Sequence, residues 1–83
     1  MTNEAVVRAF GNGYSASAKN LWTDGGRLYS YRLLIAVNFG SEIVVGNYTA
    51  SGSYYSQTTS KHVGYARSLP GAKVISANEF ETM

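Results

Sequence analysis

His62 is the only histidine in the 83 residues, and there is no cysteine. It is therefore the one side chain whose ordinary pKa lies near neutrality. It follows a run of hydroxyls, Thr58-Thr59-Ser60, and the cation Lys61. On paper Ser60, His62 and Asp24 or Glu42 compose a hydrolase triad. No G-x-S-x-G elbow accompanies them, and with ten serines in the chain a serine near His62 carries little information. One histidine and five scattered acids do not furnish a metal coordination sphere. The segment GNGYSA, residues 11–16, fits G-x-G-x-x-A, but a dinucleotide fingerprint opens a helix inside a βαβ unit. A chain this short and rich in turn signals offers no such unit, so Gly11-Asn12-Gly13 reads as a turn. The expectation is a protein that is not an enzyme, with no catalytic residue, metal or cofactor.

The side chains suited to binding are more numerous. Residues 26–78 hold five cations (Arg27, Arg32, Lys61, Arg67, Lys73) and one acid, Glu42, a local net charge of +4. Tyr29, Tyr31, Tyr54, Tyr55 and Tyr65 are interleaved with them. Aromatic rings that stack on bases, beside cations that meet phosphates, are how small sheet modules hold single-stranded nucleic acid. The plainer reading is that tyrosine suits strands and that Tyr29 and Tyr31 continue a core stripe. The overall charge of +2 is also modest for a dedicated nucleic-acid binder. A protein partner is the alternative, because Tyr, Ser, Gly and Asn with few charges is the composition of binding loops. Residues 46–56, GNYTASGSYYS, have that composition.

The expected working surface is residues 51–62 with Arg32 beside them and Arg67 on the following helix. Its named members are Arg32, Tyr54, Tyr55, Thr58, Thr59, Ser60, Lys61, His62 and Arg67. Twelve residues are long for a plain connection, and hydroxyls at a helix N-terminus beside a lysine favour a phosphate or carboxylate guest. The plainer alternative is a helix cap, which one threonine satisfies.

These side chains need a scaffold. At 83 residues, 45% apolar and 14% charged, the chain is one domain with a real core. Gly-Asn-Gly, Asp24-Gly25, Gly40-Ser41 and Pro70-Gly71 punctuate runs rich in β-branched and aromatic residues. Residues 5–10 and 14–22 read as strands, although Asn3 could also cap a helix over 3–10. Residues 29–39 read as one long strand with its odd positions on one face. A two-residue turn at Gly40-Ser41 then pairs Val37 with Val44 and Ile35 with Gly46. Residues 58–69 read as a short helix, 73–76 as a last strand, and the terminal NEFETM as a frayed tail. The fold class expected is α+β: a small twisted, mainly antiparallel sheet of four or five strands with one short helix near 58–69.

The segments RLYSYRLLIAV (27–37) and YYSQTTSKHVGYA (54–66) resemble a pattern in small phage-encoded proteins of unknown function. There an L-Y-S-Y strand is followed by a Y-S-x-T-T-S-K-H segment. Arg32 stands where that pattern has a small residue such as Gly. The resemblance implies a phage accessory product that binds a host protein or nucleic acid, as an inhibitor in the former case. It brings no catalytic residues. With no long apolar run and no apolar signal core in MTNEAVVRAF, the expected location is the cytosol, host bacterial cytosol if phage-encoded, without a membrane partner. Self-association is left open.

Overall fold

A computed structural model describes residues 1–48 and 57–83. The chain runs α1 (Asn3–Gly11), β1 (Ser15–Ser17), β2 (Leu21–Asp24), β3 (Arg27–Ser30), β4 (Leu33–Asn38), β5 (Ile43–Gly46), α2 (Gln57–Arg67), β6 (Ala72–Ile75) and α3 (Ala77–Glu81). The strands form one six-stranded sheet in sequence order, antiparallel throughout except where β6 runs parallel to β5. The parallel step exists because the connection through α2 returns the chain to the end of the sheet at which β5 begins, as a crossover must. The α+β class and the mainly antiparallel sheet stand. The sheet has six strands rather than four or five, and three helices replace one.

Two of the differences are local segments with helical chemistry. Residues 5–10 are helix, not strand. Val6, Val7 and Phe10 are buried at helical spacing while Glu4 and Arg8 point to solvent, and Thr2 Oγ1 caps the first turn by accepting from Ala5 N–H at 3.1 Å. The terminal segment is also helical. Ser76 Oγ accepts from Glu79 N–H at 3.1 Å, and Phe80 is driven into the core.

The span 14–22 holds two elements, β1 and the start of β2, and the long strand expected over 29–39 is a hairpin. Tyr31 and Arg32 form a two-residue turn between Ser30 and Leu33, which pair directly. Tyr31 adopts φ 57°, the only positive φ outside glycine among the described residues. Such a backbone costs an L-residue roughly 1–2 kcal/mol. A bulge follows: Leu28 pairs with Ala36 and Tyr29 with Leu34, leaving Ile35 as the extra residue. The odd-numbered set is therefore split between faces, and Ile35 and Ala36 are both fully buried. The Gly40-Ser41 turn is where expected, with Gly40 at φ 91° and Phe39 N–H bonded to Glu42 O at 2.8 Å. Val37 faces Val44, flanked by Ala36–Val45 and Asn38–Ile43. The ladder stops there, one pair short of Ile35–Gly46, because the bulge takes Ile35.

The core lies on one face of the sheet. Leu21, Leu28, Ala36 and Val45 from the strands meet Val6, Val7 and Phe10 of α1 and Val63 and Ala66 of α2. On the other face α3 covers only the β5 end. A Cβ at Gly46 would fall 2.7 Å from the Tyr48 ring and 2.8 Å from that of Phe80, so glycine is required for that approach. No helix is long and apolar enough to cross a membrane among the described residues.

Candidate functional site

Alternation along β2 and β3 sends Leu21, Thr23, Leu28 and Ser30 inward and leaves Trp22 and Tyr29 on the opposite face. These two are directly paired across the strands. Their rings stack, with centroids 4.2 Å apart and planes 11° from parallel. Tyr29 covers one side of the indole, and Trp22 remains 40% exposed. Its Nε1–H donates to the Tyr31 carbonyl at 3.1 Å, which ties the stack to the β3–β4 turn. Tyr31 is 47% exposed, and Arg32 beside it is exposed as well. Arg27, on the Trp22 and Tyr29 face by the same alternation, is also exposed.

Asp24, between β2 and β3, is used by its own turn. Its Oδ1 accepts from Gly26 N–H and Arg27 N–H, both at 2.9 Å. Those two bonds, and then the Arg27 charge, hold its carboxyl below the usual range.

Behind the turn, on the core side, lies a polar cluster. Ser30 Oγ is 2.7 Å from His62 Nδ1 and 3.1 Å from Thr59 Oγ1. His62 Nε2 is 3.4 Å from Asn3 Nδ2. The Asn3 amide nitrogen can only donate, so Nε2 accepts and the ring proton sits on Nδ1, donating to Ser30 Oγ. His62 is fully buried, and burial lowers its pKa. The Tyr31 ring caps the cluster on its outer side, 6.5 Å from the imidazole. Ser30 is fully buried as well, so this Ser–His contact cannot present a nucleophile to a substrate. The Ser60–His62 triad drawn on paper does not form: the serine at His62 Nδ1 is Ser30, and Asp24 is held by its own turn.

The residues expected to form the working surface are thus sorted. The turn carrying Arg32 lies against the first turn of α2, joined to it through Ser30 and Thr59. Thr59 and His62 face the core, Thr58 and Ser60 are half-buried, and Lys61 and Arg67 are exposed. Arg67 ends α2, eight residues beyond Thr59 and on the order of 12 Å along the helix. Arg67 therefore stands apart from Arg32. Tyr54 and Tyr55 lie outside the described residues.

Trp22 and Ser30 are the residues that sequence reasoning overlooked. Placing the two-residue loop at Gly25-Gly26 instead of Asp24-Gly25 would have set Trp22 opposite Tyr29. Comparison of the chain with protein-family models, with curated proteins and with solved structures finds no match.

Proposed function

We propose that the protein is a non-catalytic binding module that takes single-stranded nucleic acid on the sheet face carrying Trp22 and Tyr29. The observation that carries this reading is the stacked pair itself: an indole held flat against a tyrosine and still 40% exposed, with Arg27 at the start of β3 and Arg32 in the turn that follows it. A base can lie on the exposed part of Trp22, and the flanking guanidinium groups can meet its phosphates. The resemblance to small phage-encoded proteins extends the proposal to an accessory product in a bacterial cytosol. A host-protein target, with the module as an inhibitor, is the alternative.

Trp22 is the only tryptophan, so its fluorescence reports directly on the site. Titration with a single-stranded oligonucleotide should quench it, with affinity falling steeply between low and moderate salt. Trp22→Ala should weaken binding by roughly 1–3 kcal/mol, measured by gel shift. Arg32→Ala should weaken it and reduce the salt slope by about one unit. Absence of quenching and of a gel shift at low salt overturns the reading. Stoichiometric recovery of a host protein from nuclease-treated lysate then identifies the alternative.

A further inference from the structure

The buried cluster behind the turn does no binding of its own, yet every link in it leads to the residues that would. Ser30 immediately precedes Tyr31, whose backbone is held in a costly conformation at φ 57°. Three ties surround that residue. Tyr31 N–H donates to Asn20 O at 2.8 Å, Trp22 Nε1–H donates to Tyr31 O at 3.1 Å, and the preceding Ser30 side chain is bound by His62 and Thr59. An unfavourable backbone persists only where its surroundings over-determine it. Of the three ties, the Ser30–His62 bond is the one made by a side chain that titrates near neutrality.

We infer that His62, acting through Ser30, is a positioning residue for the Tyr31–Arg32 turn, and that protonating its imidazole releases the turn and disturbs Trp22. The neutral ring fits its site. Nε2 accepts from Asn3, and Nδ1–H donates to Ser30. A proton added at Nε2 would point at the Asn3 amide N–H groups, a donor facing a donor, and would place a charge in a fully buried position. The ionisable groups on the packed elements do not offer a counter-charge. They are Glu4 and Arg8 on α1, Tyr31 and Arg32 at the turn, and Lys61, Tyr65 and Arg67 on α2. Burial is the sole cause of the downward pKa shift at His62. Protonation at Nε2 costs the contact with Asn3 but leaves Nδ1–H able to donate to Ser30. On this inference the turn is therefore released by displacement of the charged ring toward water, on the side where the Tyr31 ring lies.

The structural part of this inference is independent of the ligand; only its consequence for binding rests on the nucleic-acid reading. The test therefore begins with the free protein. His62 is the only histidine and Trp22 the only tryptophan, so NMR of the ring and fluorescence of the indole can be followed through one acid titration. The expected result is a step in Trp22 emission with the same midpoint as the His62 ring, while far-UV circular dichroism stays constant. Ser30→Ala should leave the ring titrating but abolish the fluorescence step. In His62→Asn the side-chain amide replaces the Nδ1–H donor without titrating, so the turn should stay in place and the step disappear. Oligonucleotide affinity of the parent protein should fall by about tenfold per pH unit below the midpoint, and that fall should be absent in His62→Asn. A flat Trp22 signal through the His62 titration overturns the inference. So does a ring that stays neutral until the protein unfolds, or a step that persists in His62→Asn. A fluorescence step without any oligonucleotide binding upholds the clamp and overturns the nucleic-acid reading instead.

Discussion

The indole of Trp22 lies parallel to the phenol ring of Tyr29 at 4.2 Å, joining neighbouring strands without help from a ligand. Pairs of this kind contribute about 0.5–1.5 kcal/mol beyond the area that they bury. A double-mutant cycle with Trp22→Ala and Tyr29→Ala, followed by urea unfolding, should return a coupling energy in that range. Trp22→Phe should retain most of it and lose the bond to the Tyr31 carbonyl. A coupling near zero would mean that the rings lie apart in solution and that the proposed binding face is not preformed.

Gly46 and Phe80 make a second contact that decides a structural point. With no Cβ at Gly46, Phe80 packs edge-on against Tyr48, ring centroids 5.9 Å apart at 89°. Phe80→Ala should cost about 3–5 kcal/mol, the usual range for a buried phenylalanine. Gly46→Ala should cost about 1–3 kcal/mol by overpacking the same place. Both values come from thermal or urea unfolding. A tail that was merely frayed would make Phe80→Ala nearly silent.

Two exposed glycines should respond in opposite directions. Gly64 lies mid-helix in α2, and a methyl group added there would meet nothing within 4 Å, so Gly64→Ala should stabilise by about 0.5–1 kcal/mol. Gly40 is equally unobstructed but sits at φ 91°, so Gly40→Ala should destabilise through backbone strain alone. Melting temperatures of the two variants, compared side by side, check the prediction.

Much of the central sheet was legible because Gly40-Ser41 imposes a register, and Val37 does face Val44. The helix near residues 58–69 was legible from the spacing of Val63, Ala66 and Leu69. Misread elements trace to signals given too little weight. Burial of Val6, Val7 and Phe10 with Arg8 exposed is a helical spacing, whereas alternation would have put Arg8 beside the core residues. Ser76-Ala77-Asn78-Glu79 has the S-x-x-E form of a capping box. The Tyr31–Arg32 turn was illegible for a different reason: neither residue is a turn former, and the conformation is held by bonds from Tyr31 to Asn20 and Trp22 and from the preceding Ser30 to His62 and Thr59. Ser30, whose side chain anchors that turn to His62 and Thr59, was missed for the same reason.

Acid stability carries two separable contributions whose signs follow from the shifts at His62 and Asp24. Burial lowers the His62 pKa in the fold below its ordinary 6.5. As pH falls through that value the unfolded chain takes up a proton that the folded one refuses, so stability falls as pH drops from about 6.5 to the folded pKa and then levels. Asp24, held below its ordinary 3.8 by Gly26 and Arg27, adds stability that is present above that pH and is lost beneath it. Urea unfolding between pH 7.5 and 2.5 should therefore show a decline beginning near 6.5 that His62→Asn removes and Asp24→Asn leaves intact. A second decline below 3.8 should lose its Asp24 share in Asp24→Asn, where the amide oxygen still accepts the turn's hydrogen bonds without titrating. Ser30→Ala supplies the internal control at neutral pH. It leaves the buried Nδ1–H of His62 without its acceptor and should cost about 1–3 kcal/mol. A His62→Asn protein whose stability declines near pH 6.5 as the parent does would show that the imidazole is as well hydrated in the fold as outside it, and the buried cluster would lose its role as the proton-dependent part of the structure.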